Sequence, residues 1–253
     1  MIPPAAVDTG RLRDRLAAVA QVLAADPDAL ALLGLGSCGV DAGRLDGWSD
    51  LDVFVIVAPG CEHRFTHDAW WLARAAPEGA PLVHAFRNTA DGWKALYADG
   101  VFVECAVFAQ ATLAHIPYHG GRIIWQRGAV LDEAAVAGRR PDPAGRDWLI
   151  GEALTNLFVG LGRFWRGEQL AAHRLVQVAA LDRLLELEGG GRDPFNAARG
   201  RRHDGPGAAW LETASGPPST VPLAAAVILD RLEALPDALP APLVAAVRAR
   251  LRG

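Results

Sequence analysis

The pattern of apolar and polar positions changes character a little past the middle of the chain. Residues 9–25, TGRLRDRLAAVAQVLAA, carry apolar side chains at helical spacing behind Asp8 or Thr9, either of which is a good cap, and predict an amphipathic helix. ALALLGLG follows as a short buried strand ending in glycines. LDVFVIV, residues 51–57, is rich in β-branched residues and stops at Pro59-Gly60, so it predicts a second strand. THDAWWLARAA predicts a helix with Thr66 as its N-cap, and PLVHAFRN another strand. GWKALYADGVFVECAVF predicts a β-hairpin turning on Asp99-Gly100, and GRIIWQRG one strand more. Glycine, proline and charge then thicken through EAAVAGRRPDPAGRD, residues 133–147. Beyond that stretch every strong pattern is helical, over 147–167, 168–188, 219–235 and 241–253. The pattern therefore predicts an N-terminal α/β domain, residues 1–135, and a helical domain, residues 136–253.

Size and charge narrow the classes of function. A chain of 253 residues is long enough for one large or two modest cores. A composition 51% hydrophobic and 21% charged is that of an ordinary globular protein. The formal charge of -4 gives no general attraction for nucleic acid or an anionic membrane, so neither is an expected partner. Three cysteines, Cys38, Cys61 and Cys105, without a Cys-x-x-Cys pair, argue against a disulfide framework and fit a reducing cytosol. The opening MIPPAAVDTGRLRDRLAAV lacks the basic start and apolar core of a signal peptide. Apolar runs such as 222–229 are too short to span a bilayer. A soluble, cytoplasmic protein is expected. Lys94 is the only lysine among 25 basic residues, which reads as compositional bias toward arginine rather than as function.

The acids carry the chemistry. In an extended strand Asp50 and Asp52 point to one side, roughly 6.5 Å apart along the backbone. Phe54 and Ile56 follow on that face, while Leu51, Val53, Val55 and Val57 line the other. A strand apolar on both faces is central, so its polar end must open onto a cleft. In GVFVECAVF, Glu104 is the only charge, sharing its face with Phe102, Ala106 and Phe108. An acid in that setting is either neutral or opposite a cation. If this strand lies beside 51–57, three carboxylates converge, a donor set suited to Mg²⁺ with water and substrate phosphates. Paired ions of that kind assist in-line displacement at phosphorus. Gly36 and Ser37, at the end of the preceding strand, offer close backbone approach and a hydroxyl to a phosphate.

With its GS…SDLDVFVIV and its later VECAVF, the chain resembles the nucleotidyltransferase superfamily of the DNA polymerase β-like fold, in particular the small bacterial members that adenylylate aminoglycosides or lincosamides. The motifs cover about residues 30–110, and the helical second domain is compatible with them. The resemblance implies an α+β fold: a mixed sheet with flanking helices, then a helical bundle that binds substrate. It implies that Asp50 and Asp52 bind Mg²⁺, two ions in all, that Gly36 and Ser37 hold the triphosphate, and that Glu104 binds metal or acts as base. Ser49, within the motif, and Arg44 would join Gly36 and Ser37 at the nucleotide. The loop CGVDAGRLDGW is longer than in the minimal members and no Arg-Gly follows the serine, which leaves open which residue of the loop meets the phosphates, Arg44 being one candidate. Arg201 and Arg202, in an arginine-rich loop with Arg192 and Arg199, would reach the phosphates too. The implied reaction moves AMP from ATP, or a nucleotide from another NTP, to a hydroxyl of a small molecule such as an aminoglycoside, in a cleft between the domains. Asp41, Asp46, Asp91 and Asp99 are acids that a polycationic acceptor would favour. Two other readings share the residues: modification of a protein hydroxyl, and a nucleotide sensor without turnover.

Other features have plainer explanations. Cys61-x-His63 with His67, and His115 with His119, have passable zinc spacings but read as solvated histidines. Trp70-Trp71 reads as core. Arg166, Glu168, His173 and Arg174 lie on helices whose periodicity does not fix their faces, with Glu168 a reserve base.

Overall fold

The computed structural model describes residues 6–138, 142–189, 196–198 and 208–253. The chain divides into two compact units, Met1–Arg140 and Pro141–Gly253. The fold is α+β, with a mixed six-stranded sheet in the first unit and, among the described residues, helices without strands in the second.

The first unit starts with α1 (Thr9–Ala24), capped by Asp8, whose carboxylate accepts the Gly10 N–H. Then come β1 (Ala29–Gly34), β2 (Leu51–Val57), α2 (Glu62–Thr66), α3 (Trp70–Arg74), β3 (Leu82–Arg87), β4 (Gly92–Tyr97), β5 (Phe102–Ala109), β6 (Arg122–Gln126) and α4 (Glu133–Val136). The strand order is β3-β4-β5-β2-β1-β6. β2 and β5 run parallel, and the other described pairs are antiparallel. β2 is thus an inner strand, as its two apolar faces require. The β4–β5 hairpin turns on Asp99-Gly100, where Gly100 takes a positive φ of 88° and Asp99 accepts the Val101 N–H at 3.2 Å.

Alternation decides what each sheet face meets. Leu51, Val53, Val55 and Val57, with Val103, Cys105 and Val107, form one core with Leu12, Val19 and Leu23 of α1 and with Phe65, Trp71 and Leu72. On the opposite face Ala31, Leu33 and Ile56 pack with Leu113, Tyr118, Leu131 and Val136. There Phe54 sits edge-on to Phe108 and Tyr118, centroids 5.1 and 5.4 Å away. One step beyond Phe54 and its neighbour on β5, the polar positions Asp52, Glu104 and Lys94 are only half-buried.

Thr66 is not a helix cap. It is the buried last residue of α2, its hydroxyl turned back to the His63 carbonyl. Asp68 takes the Trp70 N–H at 3.0 Å and restarts the chain as α3. A carboxylate that fits the first N–H of a turn outcompetes a hydroxyl needed for packing two residues earlier.

The second unit holds α5 (Arg146–Trp165), α6 (Gln169–His173), α7 (Leu181–Leu187), α8 (Ala209–Ala214), α9 (Val221–Glu233) and α10 (Ala241–Leu251). α6 runs into α7 through a π-helical segment, Arg174–Ala180, so the expected helix 168–188 is one run with a widened turn. Its core joins Leu154, Leu157 and Leu161 to Val176, Leu184, Ile228 and Val247. Gly160 permits the close approach of α5: a Cβ there would lie 2.5 Å from Val176 Cγ2. Among the described residues no helix is long and apolar enough to cross a membrane.

Candidate active site

Strand register builds the site. The parallel β2–β5 ladder sets Asp52 opposite Glu104. The β4–β5 ladder sets Glu104 opposite Lys94, and the β3–β4 ladder sets Lys94 opposite Phe86. One row of side chains, Asp52, Glu104, Lys94 and Phe86, therefore crosses four strands at about 4.8 Å per step.

The Gly-Ser turn closes one end of this row. Beyond β1, the Leu35 N–H still bonds the Asp52 carbonyl at 2.8 Å. The chain then tightens into a 3₁₀ turn, Gly36–Cys38. Gly36 has φ +51°, and a Cβ there would stand 2.9 Å from Asp52 Oδ2, so only a glycine backbone lies so near that carboxylate. Ser37 is buried, and its hydroxyl donates to the Asp50 carbonyl at 3.3 Å. Its role here is to tie the turn to the aspartate segment. Arg122 of β6 pins the turn from behind, donating Nε and Nη2 to the Cys38 carbonyl and Nε to that of Gly39 at 3.1–3.3 Å. Nothing in the sequence pattern marked Arg122. An apolar cavity of about 590 Å³ lies on the α1 side of the turn, lined by Leu12, Leu16, Ser37, Cys38, Leu51 and Trp125. It is on the sheet face away from the row. Burial pushes the Cys38 thiol up to about 11, which keeps it protonated at neutral pH.

Glu104 is opposite a cation. Lys94 Nζ lies 2.8 Å from Oε2, and Asn88 Nδ2 donates to Oε1 at a long 3.5 Å. The hydrogen bond to Glu104 and then its charge hold the Lys94 ammonium above its ordinary pKa, and the charges of Asp50 and Asp52 act in the same direction. The single lysine of the chain thus sits in the field of all three acids. Sequence composition gave it no role; the signal available was an ammonium on the strand antiparallel to VECAVF.

The expected convergence of three carboxylates is not what forms. Among the described residues no three of His, Cys, Asp and Glu gather closely enough to hold a metal ion. That covers Asp50, Asp52 and Glu104, and also the Cys61/His63/His67 and His115/His119 spacings. The register brings Glu104 beside Asp52, but the nearer ammonium takes the carboxylate. Asp52 sets a hard carboxylate oxygen beside the bare backbone of Gly36, with Asp50 two residues before it. That set fits Mg²⁺, which takes one or two carboxylates and completes its shell with water and substrate phosphates.

Other expected residues have local partners. Arg44 pairs with Asp41 at 3.3 Å on an exposed loop. The Ser49 hydroxyl donates to Asp46 Oδ1 at 3.1 Å and accepts the Asp46 N–H at 3.0 Å, a turn that leads into Asp50. Asp99 is paired with Arg15. The acids proposed to favour a polycation are thus mostly engaged in local structure. Trp71 is core, its indole N–H on the Phe65 carbonyl. In the second unit Glu168 pairs with Arg163 at 2.8 Å, and His173 meets Gln177 at 2.9 Å. Arg192, Arg199, Arg201 and Arg202 lie outside the described residues.

An aminoglycoside 6-adenyltransferase from Bacillus subtilis is similar to this chain at 11% identity and a TM-score of 0.33, over 97% of this chain and 92% of that one. A nucleotidyltransferase-like protein from Exiguobacterium sibiricum 255-15 is similar at 14% identity and a TM-score of 0.36, over 88% of this chain and 74% of that one. No protein-family model and no curated sequence matches the chain. Likeness at this level leaves function to the chemistry of the site.

Proposed function

We propose that this chain is a nucleotidyltransferase that moves AMP from ATP to a hydroxyl of a small molecule and releases pyrophosphate. The observation that carries the reading is Asp52 beside the bare backbone of Gly36, with Asp50 two residues before it and Glu104 opposite it in the ladder. Asp50 and Asp52 would hold Mg²⁺, which when bound neutralises charge on the triphosphate and leaving pyrophosphate. The Gly36–Cys38 turn offers the backbone approach to the phosphates. Arg201, Arg202, Arg44 and Ser49 belong to this proposal as further nucleotide contacts. Glu104 accepts the proton of the acceptor hydroxyl. The hydroxyl oxygen bonds the α-phosphorus as the bridging bond to the β-phosphate breaks, and pyrophosphate leaves with that electron pair. Positioning and charge neutralisation supply most of the rate. Aminoglycoside-type polyols are the first acceptors to screen.

Calorimetry with ATP, with and without Mg²⁺, tests the reading on the wild type and on Asp50→Ala/Asp52→Ala. Magnesium-dependent binding that disappears in the double variant is expected, as is pyrophosphate release lost in Asp52→Asn with the fold intact. A wild type that binds no NTP under either condition overturns it.

A further inference from the structure

Glu104 has two possible employments in the proposed reaction, and the same carboxylate cannot serve both at once. As a third metal ligand it would share its lone pairs with the cation. As a base it must keep one free for the acceptor hydroxyl. Building on the nucleotidyl-transfer reading, we propose that Lys94 is the positioning residue that decides between them. It holds the Glu104 carboxylate toward β4 and off the aspartate pair.

Three observations support this. Lys94 Nζ is 2.8 Å from Oε2, and Asn88, in the β3–β4 turn, reaches Oε1 at 3.5 Å, so both oxygens are approached from the side away from Asp52. Glu104 is directly opposite Asp52 in the ladder, about 4.8 Å away along the sheet. With no ammonium, that separation is short enough for Asp52 and Glu104 to close on one cation. Finally, the choice of lysine fits the task. The chain uses arginine at the other 24 of its 25 basic positions. A guanidinium opposite Glu104 would clamp both carboxylate oxygens in a fork. A compact ammonium takes one, and the long Asn88 contact is easily displaced, which leaves Oε1 for the incoming hydroxyl.

The test measures Mn²⁺ affinity by titration in the presence of a non-hydrolysable ATP analogue, alongside turnover with ATP. Lys94→Met frees Glu104, so Mn²⁺ binds about tenfold tighter, while turnover falls roughly a hundredfold as the base is lost to the metal. Adding Glu104→Gln to Lys94→Met returns Mn²⁺ affinity to the wild-type value. Lys94→Arg, which retains the charge and so the fold, keeps wild-type Mn²⁺ affinity but loses turnover. Unchanged Mn²⁺ affinity in a folded Lys94→Met overturns the inference while leaving the nucleotidyl-transfer reading intact, and so does full turnover in Lys94→Arg. A wild type that binds neither Mn²⁺ nor the analogue overturns both.

Discussion

Gly36 carries two constraints, a left-handed backbone and a carboxylate where its Cβ would be. The first costs an alanine about 1–2 kcal/mol wherever it occurs; the second acts on Asp52 alone. Gly36→Ala should therefore lower magnesium-dependent ATP affinity at least roughly tenfold, because a displaced carboxylate loses a metal contact. Gly60 is the control, since it too has positive φ, 84°, yet a Cβ there would meet nothing within 4 Å. Gly60→Ala should cost similar stability and leave nucleotide affinity unchanged, both read by calorimetry and urea unfolding. Equal loss of affinity in the two variants would mean strain, not the Asp52 contact, is responsible. Gly36, Ser37, Asp50 and Asp52 could be proposed together from the sequence because they lie within 17 consecutive residues, 36–52, and strand alternation fixes the face of Asp52. The duty of the Ser37 hydroxyl was not legible. A Gly-Ser pair advertises a phosphate donor, whereas here the hydroxyl bonds the Asp50 carbonyl.

Elements follow the same division between local and distant. The β4–β5 hairpin was readable from Asp99-Gly100, and the faces of β2 from its alternation. Which strand lies beside β2 was not, because a parallel pairing across some fifty residues leaves no local signal. Lys94 stayed hidden for that reason: its partner is set by two ladders, not by spacing. Arg15 illustrates a signal that was present. It falls between Leu12 and Val19 on the apolar stripe of α1, and a buried arginine there must have a partner. The partner is Asp99 at the hairpin tip, 3.2 Å away, with the guanidinium 3.4 Å over the Tyr97 ring. This pair bolts α1 to the hairpin that carries Lys94 and Glu104. Asp99→Ala leaves Arg15 buried without its counter-charge and should cost about 3 kcal/mol, read as a lowered urea midpoint. Magnesium-dependent ATP binding should survive in the folded protein. A midpoint that does not move would show that the bolt is dispensable.

At the scale of the whole chain the two units differ in the acids they bury. All three cysteines and both tyrosines lie in Met1–Arg140, and Pro141–Gly253 has none. Burial pushes the Cys105 thiol to about 12 and the Tyr97 hydroxyl to about 12, with Cys38 at about 11. Each is raised above its ordinary value of 9.0 or 10.0, so the folded state holds these protons longer than the unfolded chain does. Well below pH 9 both states are protonated and the groups add no pH dependence. Above it the unfolded state loses protons first, and the stability of the first unit declines until the folded groups ionise as well. The second unit has no thiol or phenol. Urea unfolding at neutral pH and at about pH 10.5 separates the two. Accessibility of the buried Cys38 and Cys105 to a thiol reagent reports only the first unit and should show its midpoint shifted to lower urea at the higher pH. The far-ultraviolet helix signal, carried mainly by α5–α10, should keep its midpoint. Coincident shifts in both signals would mean that the units unfold as one cooperative body. No shift in either would mean that the buried thiols and phenol ionise as readily inside the sheet as in water.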